Sequence, residues 1–221
     1  METLTVTQGE RGLTTLLGRA LGLDQAALAR FSLVDDHVVD VFVTTPFDCL
    51  AARRVSGSAS RDGAVVAAND LLNALRDAGD SDATDSSPAD ASREVGKARD
   101  MMWPGALPPA TGFVERDIVP VGVARRLADE GRNLARQFSG PAGPPRSLLD
   151  GIVLTADADS AAPVEIPMRM IFACTALGLI PGFEAPAEIP RHLRVATAGS
   201  WVRLDAPYGS IYRNVGRLII M

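Results

Sequence analysis

Trp201, Arg203 and Asp205 alternate with Val202 and Leu204 near the end of the chain. In an extended strand, successive side chains point to opposite faces. Val202 and Leu204 then face a core, and Trp201 and Arg203 face outward. Tyr208, Tyr212 and Arg213 follow within a few residues. Trp, Tyr and Arg are the residue types most enriched where one protein grips another, so these five positions, Trp201, Arg203, Tyr208, Tyr212 and Arg213, form a candidate partner surface. The alternative is that Trp201 caps the edge of the core. The C-terminal strands could also offer edges for pairing with a partner.

A second candidate is a pocket lined by Trp103, Arg169 and Phe172, with Met101 and Met102 beside the tryptophan. Arg169 interrupts an otherwise apolar helical stretch. If buried, it needs a carboxylate partner or an anionic ligand; otherwise it faces solvent in the first turn of its helix. Met101, Met102 and Trp103 could form an anchor or a lid over an apolar pocket. Such a pocket, lying between the two halves of the chain, would bind a small molecule or serve an enzyme, with Arg53 and Arg54 as further anion contacts.

Other reactive groups are sparse. His37 and Cys49 flank a predicted hairpin and could pair as imidazole and thiolate, but cysteine is also among the most buried residue types. Asp35, Asp36 and His37 form a titratable cluster of the kind used in acid–base work, or a simple turn. His37, Cys49, Cys174 and His192 do not fall at metal-ligand spacing. Asp157 and Asp159 lack the central glycine and terminal glutamate of a calcium loop. There is no nucleophile-elbow motif, no phosphate-binding glycine loop and no dinucleotide fingerprint. Lys97 is the only lysine, and its polar surroundings do not suit Schiff-base chemistry. No catalytic residue, cofactor or metal is therefore assigned.

The segment LTTLLGRALGLDQAALARF, residues 13–31, resembles a DNA-binding helix-turn-helix. Gly18, Gly22 and Leu28 fall at the small, turn and apolar positions. The resemblance implies a second helix that reads bases through Gln25 and Arg30. An αα-hairpin packed on a sheet would explain the same pattern.

The 221 residues carry a formal charge of −5 and are 47% hydrophobic, ordinary for a globular chain. The acidity is local. Residues 77–92 hold five aspartates and no basic residue, and without them the chain is neutral. No global basic excess is present to neutralise phosphates. Nucleic acid is thus an unfavoured partner, while the acidic tract could tune binding to a basic one. The start lacks a basic and apolar leader, and the longest apolar run, residues 170–181, is shorter than the roughly twenty residues of a membrane helix. These features predict a cytoplasmic protein without a membrane partner.

The elements that must position these residues follow from periodicity. Thr7 and Glu10 suggest a capping box for a helix with Leu13, Leu16, Leu17, Ala20 and Leu21 on one face. A second helix would run through about Phe31. Residues 38–44 and 49–55 predict a hairpin, and residues 64–66 a strand before a short helix carrying Leu71, Leu72 and Leu75. Helices are expected over 120–138 and 168–179, strands over 151–155 and 163–166, and a hairpin over 194–205, with further edge strands at 211–212 and 218–220. The fold class is α+β: short antiparallel hairpins packed against four to six helices, with two similar halves around a long acidic loop as an option. An echo between residues 55–79 and 153–178 suggests that duplication. The division is 1–76 as an N-terminal α+β half, 77–100 as an acidic flexible linker or excursion, and 101–221 as a C-terminal α+β half.

Three functions remain open. The leading one is a non-enzymatic cytoplasmic interaction or assembly protein, homo-oligomeric or bound to a protein partner. The others are a small-molecule-binding protein or enzyme and a helix-turn-helix DNA-binding protein.

Overall fold

A computed structural model describes residues 1–77, 92–138, 145–156, 162–182 and 184–216. Two compact units emerge. The first comprises residues 1–46 and 50–107, and the second residues 47–49 and 108–221.

The first unit opens with β1 (Glu2–Gln8) and α1 (Glu10–Leu23). Leu4 and Val6 of β1 and the predicted apolar face of α1 are all buried. Thr7 lies in the strand, so the predicted capping box does not form. Gly9 occupies the N-cap position at φ 91°, a left-handed conformation that glycine adopts at no steric cost. A meander follows: β2 (Leu28–Asp35), β3 (Val38–Thr44) and β4 (Leu50–Ala59). β5 (Val65–Ala67) leads directly into α2 (Ala68–Asp77), and β6 (Arg93–Gly96) completes the unit. The sheet order is β5-β2-β3-β4-β1-β6, and every neighbouring pair is antiparallel. α1 and α2 pack on each other.

The second unit starts with β7 (Val114–Pro120), which runs straight into α3 (Val121–Phe138). The short α4 (Arg146–Asp150), a hairpin of β8 (Ile152–Ala156) and β9 (Val164–Pro167), and α5 (Met168–Ala176) follow. A second meander closes the unit: β10 (His192–Ala198), β11 (Trp201–Ala206) and β12 (Gly209–Asn214). Its antiparallel sheet has the order β12-β11-β10-β7, with β8 and β9 paired separately. α3 packs on α5. A Cβ at Gly131 would lie 2.8 Å from Met168 Cε and Phe172 Cζ, so this glycine permits the close helix approach.

The expected fold class is corrected. Antiparallel sheets dominate both units, and the helices cover them. Two stretches read as helix or excursion are strands. Residues 28–35 form β2 because β3 and β5 flank them on both sides. Residues 93–96 form β6 because Val95 is fully buried and Arg93 pairs with Glu10 at 2.8 Å. The helix-turn-helix reading fails with β2: no second helix is present, and Arg30 points from a strand. Residues 78–91, most of the acidic tract, and residues 218–220, predicted as an edge strand, lie outside the described residues, as do Asp157 and Asp159.

The proposed duplication also changes form. β5 pairs with β2, whereas β9 pairs with β8, so residues 55–79 and 153–178 are not equivalent. A different correspondence holds. Taking the first unit from β5 to β6 and then from β1 to β4 reproduces the second from β7 to β12. The pairs β5·β2 and β7·β10, β6·β1 and β8·β9, and both meanders then match, as do the helix pairs α1·α2 and α5·α3. One pairing lacks a counterpart among the described residues. β1 joins β4, but β9 does not join β12.

Candidate functional site

The missing pairing coincides with a cleft of about 530 Å³ in the second unit, within the range of ligand sites. Its position follows from strand register. Thr197 of β10 lies opposite Val202 of β11, which lies opposite Arg213 of β12. Directly opposed residues in antiparallel strands share a face, so these three form a row across the sheet. Ile152 and residues 163–165, from the β8–β9 hairpin, make the facing wall. Trp201, Gly199 and Val215 form the lip. The β10–β11 turn has only Gly199 and Ser200 between its paired ends, and the Val215 N–H donates to the Ser200 carbonyl at 2.7 Å. The lip is thereby pinned to the turn.

The cleft is amphipathic. Ile152 and Val215 are each 46% exposed, and Trp201 is half-buried. Arg116, Arg213 and Glu165 supply charge. Arg116 enters because β7 has a bulge opposite Val195 and Ala196, and its Nε donates to Thr197 Oγ1 at 2.8 Å. β9 has no second strand partner among the described residues. The site therefore combines apolar surface, two guanidinium groups and an unpaired strand edge.

The five predicted surface residues separate. Trp201 and Arg213 line the cleft. Arg203 and Tyr212 oppose each other in the register on the other face of the sheet. Arg203 stacks on Phe113 with its guanidinium carbon 4.2 Å from the ring centroid and pairs with Asp205 at 2.8 Å. Tyr212 meets Phe113 edge-on at 5.8 Å. Tyr208 sits in the β11–β12 turn, where its N–H donates to the Leu179 carbonyl at 3.0 Å. Sequence reasoning missed Arg116, Glu165, Ile152 and Val215. A bulge and a hairpin packed beside the sheet leave no periodic signature.

The predicted pocket residues are distributed over both units. Trp103 belongs to the first unit, buried beneath the Arg30 guanidinium at 5.7 Å. Arg169 and Phe172 belong to α5 of the second unit. Arg169 is only 5% exposed. Its Nη1 donates to Asp48 at 2.5 Å and to the Phe47 carbonyl at 3.0 Å, and its Nη2 donates to Asp150. Burial alone would lower its pKa, but the two carboxylates outweigh burial and hold it above the ordinary arginine value. This buried cation has its carboxylate partners in Asp48 and Asp150. Phe172 packs against Phe47 at 6.4 Å. Both line a separate apolar cleft of about 410 Å³ between α3 and α5, with Ala135, Thr175 and Ala176 inside and Arg132 and Arg136 at the rim.

Cys49 is buried, and burial pushes its thiol up to about 12, which removes the thiolate that a His37 pair would require. His37 is exposed in the β2–β3 turn, its N–H bonded to Asp35 Oδ1 at 2.8 Å. Among the described residues, no three His, Cys, Asp or Glu side chains converge into a metal-binding group. Also among them, no helix is long and apolar enough to cross a membrane.

Residues 108–218 match the model of a family described as a domain of unknown function (DUF8185). Residues 1–96 match a second such family (DUF8010). No curated protein matches the chain. Among solved structures, the chain is similar to the beta sliding clamp of Caulobacter crescentus with a TM-score of 0.56 at 15% identity, covering 99% of this chain and 66% of that one. It is similar to the DNA polymerase sliding clamp of Pseudomonas aeruginosa at 0.54 and 12%, covering 100% and 66%. A putative DNA polymerase III beta subunit from Eubacterium rectale gives 0.54 at 9%, covering 100% and 66%. The chain thus spans about two thirds of the length of these clamps, and at such identities the likeness is one of fold.

Proposed function

This chain belongs to the DUF8185 family, and we propose that it is a non-enzymatic interaction and assembly protein of the cytoplasm that holds an extended segment of a partner protein. The observation that carries this reading is the open cleft beside β9. An extended peptide can add its backbone to an unpaired strand and seat alternate side chains in adjoining pockets. Here the apolar side chains of the segment would meet Trp201, Ile152 and Val215, and its carboxylates would meet Arg116 and Arg213. Net positive charge at the cleft favours an acidic or neutral segment.

Fold likeness supports an assembly role. The C. crescentus clamp is described with polyethylene glycol bound at a putative beta-motif tethering region. A linear ligand on that fold is consistent with an extended one here. A small molecule is the second occupant that the volume allows, and the same test distinguishes it.

The test is quantitative affinity capture from nuclease-treated lysate, comparing the native chain with a Trp201→Ala/Arg213→Ala variant. The expected result is one stoichiometric protein partner, lost in the variant while the variant stays folded. Equal capture by both chains would overturn the assignment of the cleft. A metabolite in place of a protein would favour the small-molecule reading.

A further inference from the structure

Met101 is 99% exposed and Met102 59% exposed. They lie in a 3-10 turn, Asp100–Met102, of the first unit. Adjacent long apolar side chains in water call for a partner when their backbone is fixed, and this backbone is. Asp100 accepts the Val65 N–H at 3.0 Å and Arg61 Nη2 at 2.6 Å. The Arg99 N–H donates to the Val65 carbonyl and the Met102 N–H to the Arg99 carbonyl, each at 2.8 Å. Trp103 is buried directly behind. The turn therefore presents two methionines in one preset position, which lowers the ordering cost of docking.

The α3–α5 cleft of the second unit offers the complementary surface. It is lined by Phe47, Phe172, Ala135 and Ala176, and methionine sulfur makes favourable contacts with aromatic rings. Arg136 at its rim is exposed and has no ion-pair partner among the described residues. Asp100, next to the methionines, has a side chain 44% exposed. A carboxylate has about four acceptor positions, so it can take a second guanidinium.

We propose that the Met101–Met102 turn of one copy docks in the α3–α5 cleft of a second copy. Knob and cleft are different surfaces of the same chain, so the contact is heterologous. It propagates head to tail into a ring or a filament according to the rotation between copies. This proposal uses neither the β9 cleft nor any partner held there.

Two single variants test it, Met101→Cys and Ala176→Cys, with the native Cys49 and Cys174 buried. Mixed under mild oxidation, they should give a disulfide-linked heterodimer. Sedimentation of the native chain should show self-association that weakens at least ~tenfold in Met101→Asp/Met102→Asp, with an unchanged Tm because both positions are exposed. A native chain that stays monomeric at high concentration overturns the proposal. So does linkage mainly between two Met101→Cys copies, or self-association that survives the double aspartate variant.

Discussion

The guanidinium of Arg203 lies over the ring of Phe113, 4.2 Å from its centroid, and forms an ion pair with Asp205 at 2.8 Å on its own strand. A cation on an aromatic face contributes roughly 0.5–2 kcal/mol, more as water is excluded. Arg203→Ala is thus expected to lower stability by about 1–2 kcal/mol, with a visible drop in Tm. Trp201→Ala, at the lip, should change Tm little. Thermal melts of the two single variants separate them. Equal melting would return Arg203 to the partner surface.

The two cysteines give a second expectation. Burial pushes the Cys49 thiol up to about 12 and Cys174 higher still. The thiolate is the reactive form. Neither should react with an alkylating reagent at pH 8 in the folded chain, and both should react in denaturant. Rapid native labelling of Cys49 would contradict the core packing around α5.

β1 and β4 lie in tight contact at Gly57. Its φ is 147°, and a Cβ there would lie 1.9 Å from the Thr5 carbonyl oxygen. Backbone strain for a side chain in such a conformation costs roughly 1–3 kcal/mol, and the clash adds to it. Gly57→Ala should therefore be among the most destabilising single changes in the first unit, measured by denaturant midpoint. A shift no larger than that of an exposed substitution would contradict the β1–β4 register.

Acid sensitivity should trace to one network. The Ser60 hydroxyl, donating at 2.5 Å, and then Arg61 hold Glu2 below the ordinary carboxylate range despite burial. The Val65 N–H and then Arg61 do the same for Asp100. Both groups bind protons more weakly when folded. Their stabilisation is complete above the unfolded carboxylate pKa and is lost as pH falls through the lower folded values. Tm should be level from pH 7 to about 5 and fall below about pH 4. A Glu2→Gln/Asp100→Asn variant should fall less steeply. Identical acid profiles would place the sensitivity elsewhere.

Legibility in the sequence followed exposure. β3 is readable as a nearly continuous β-branched and apolar run, buried on both faces, and α1 and α2 are readable because their buried leucines recur at helical spacing. The alternation Thr3, Leu4, Thr5, Val6, Thr7 marks β1, but Thr7 and Glu10 also fit a helix start, and local spacing could not choose. β2 was misread because Ala27, Leu28 and Phe31 satisfy helical spacing as well as burial in a strand. β7 carries Glu115, Arg116 and Asp117, so as a largely exposed edge strand it has little apolar signal. At the cleft, Trp201 and Arg213 stood out by residue type. Arg116 and Glu165 did not, because a bulge and the β8–β9 hairpin bring them there.

The central claim is that the cleft beside β9 holds a partner segment. Its most direct test is a photo-crosslinking amino acid at Val215, on the lip, with Asp36 in the exposed β2–β3 turn as the control position. The account predicts one protein adduct from Val215, mapped to a short contiguous segment of the partner, absent from Asp36 and lost in Trp201→Ala. The absence of a protein adduct at Val215, or the same adducts from both positions, would contradict it.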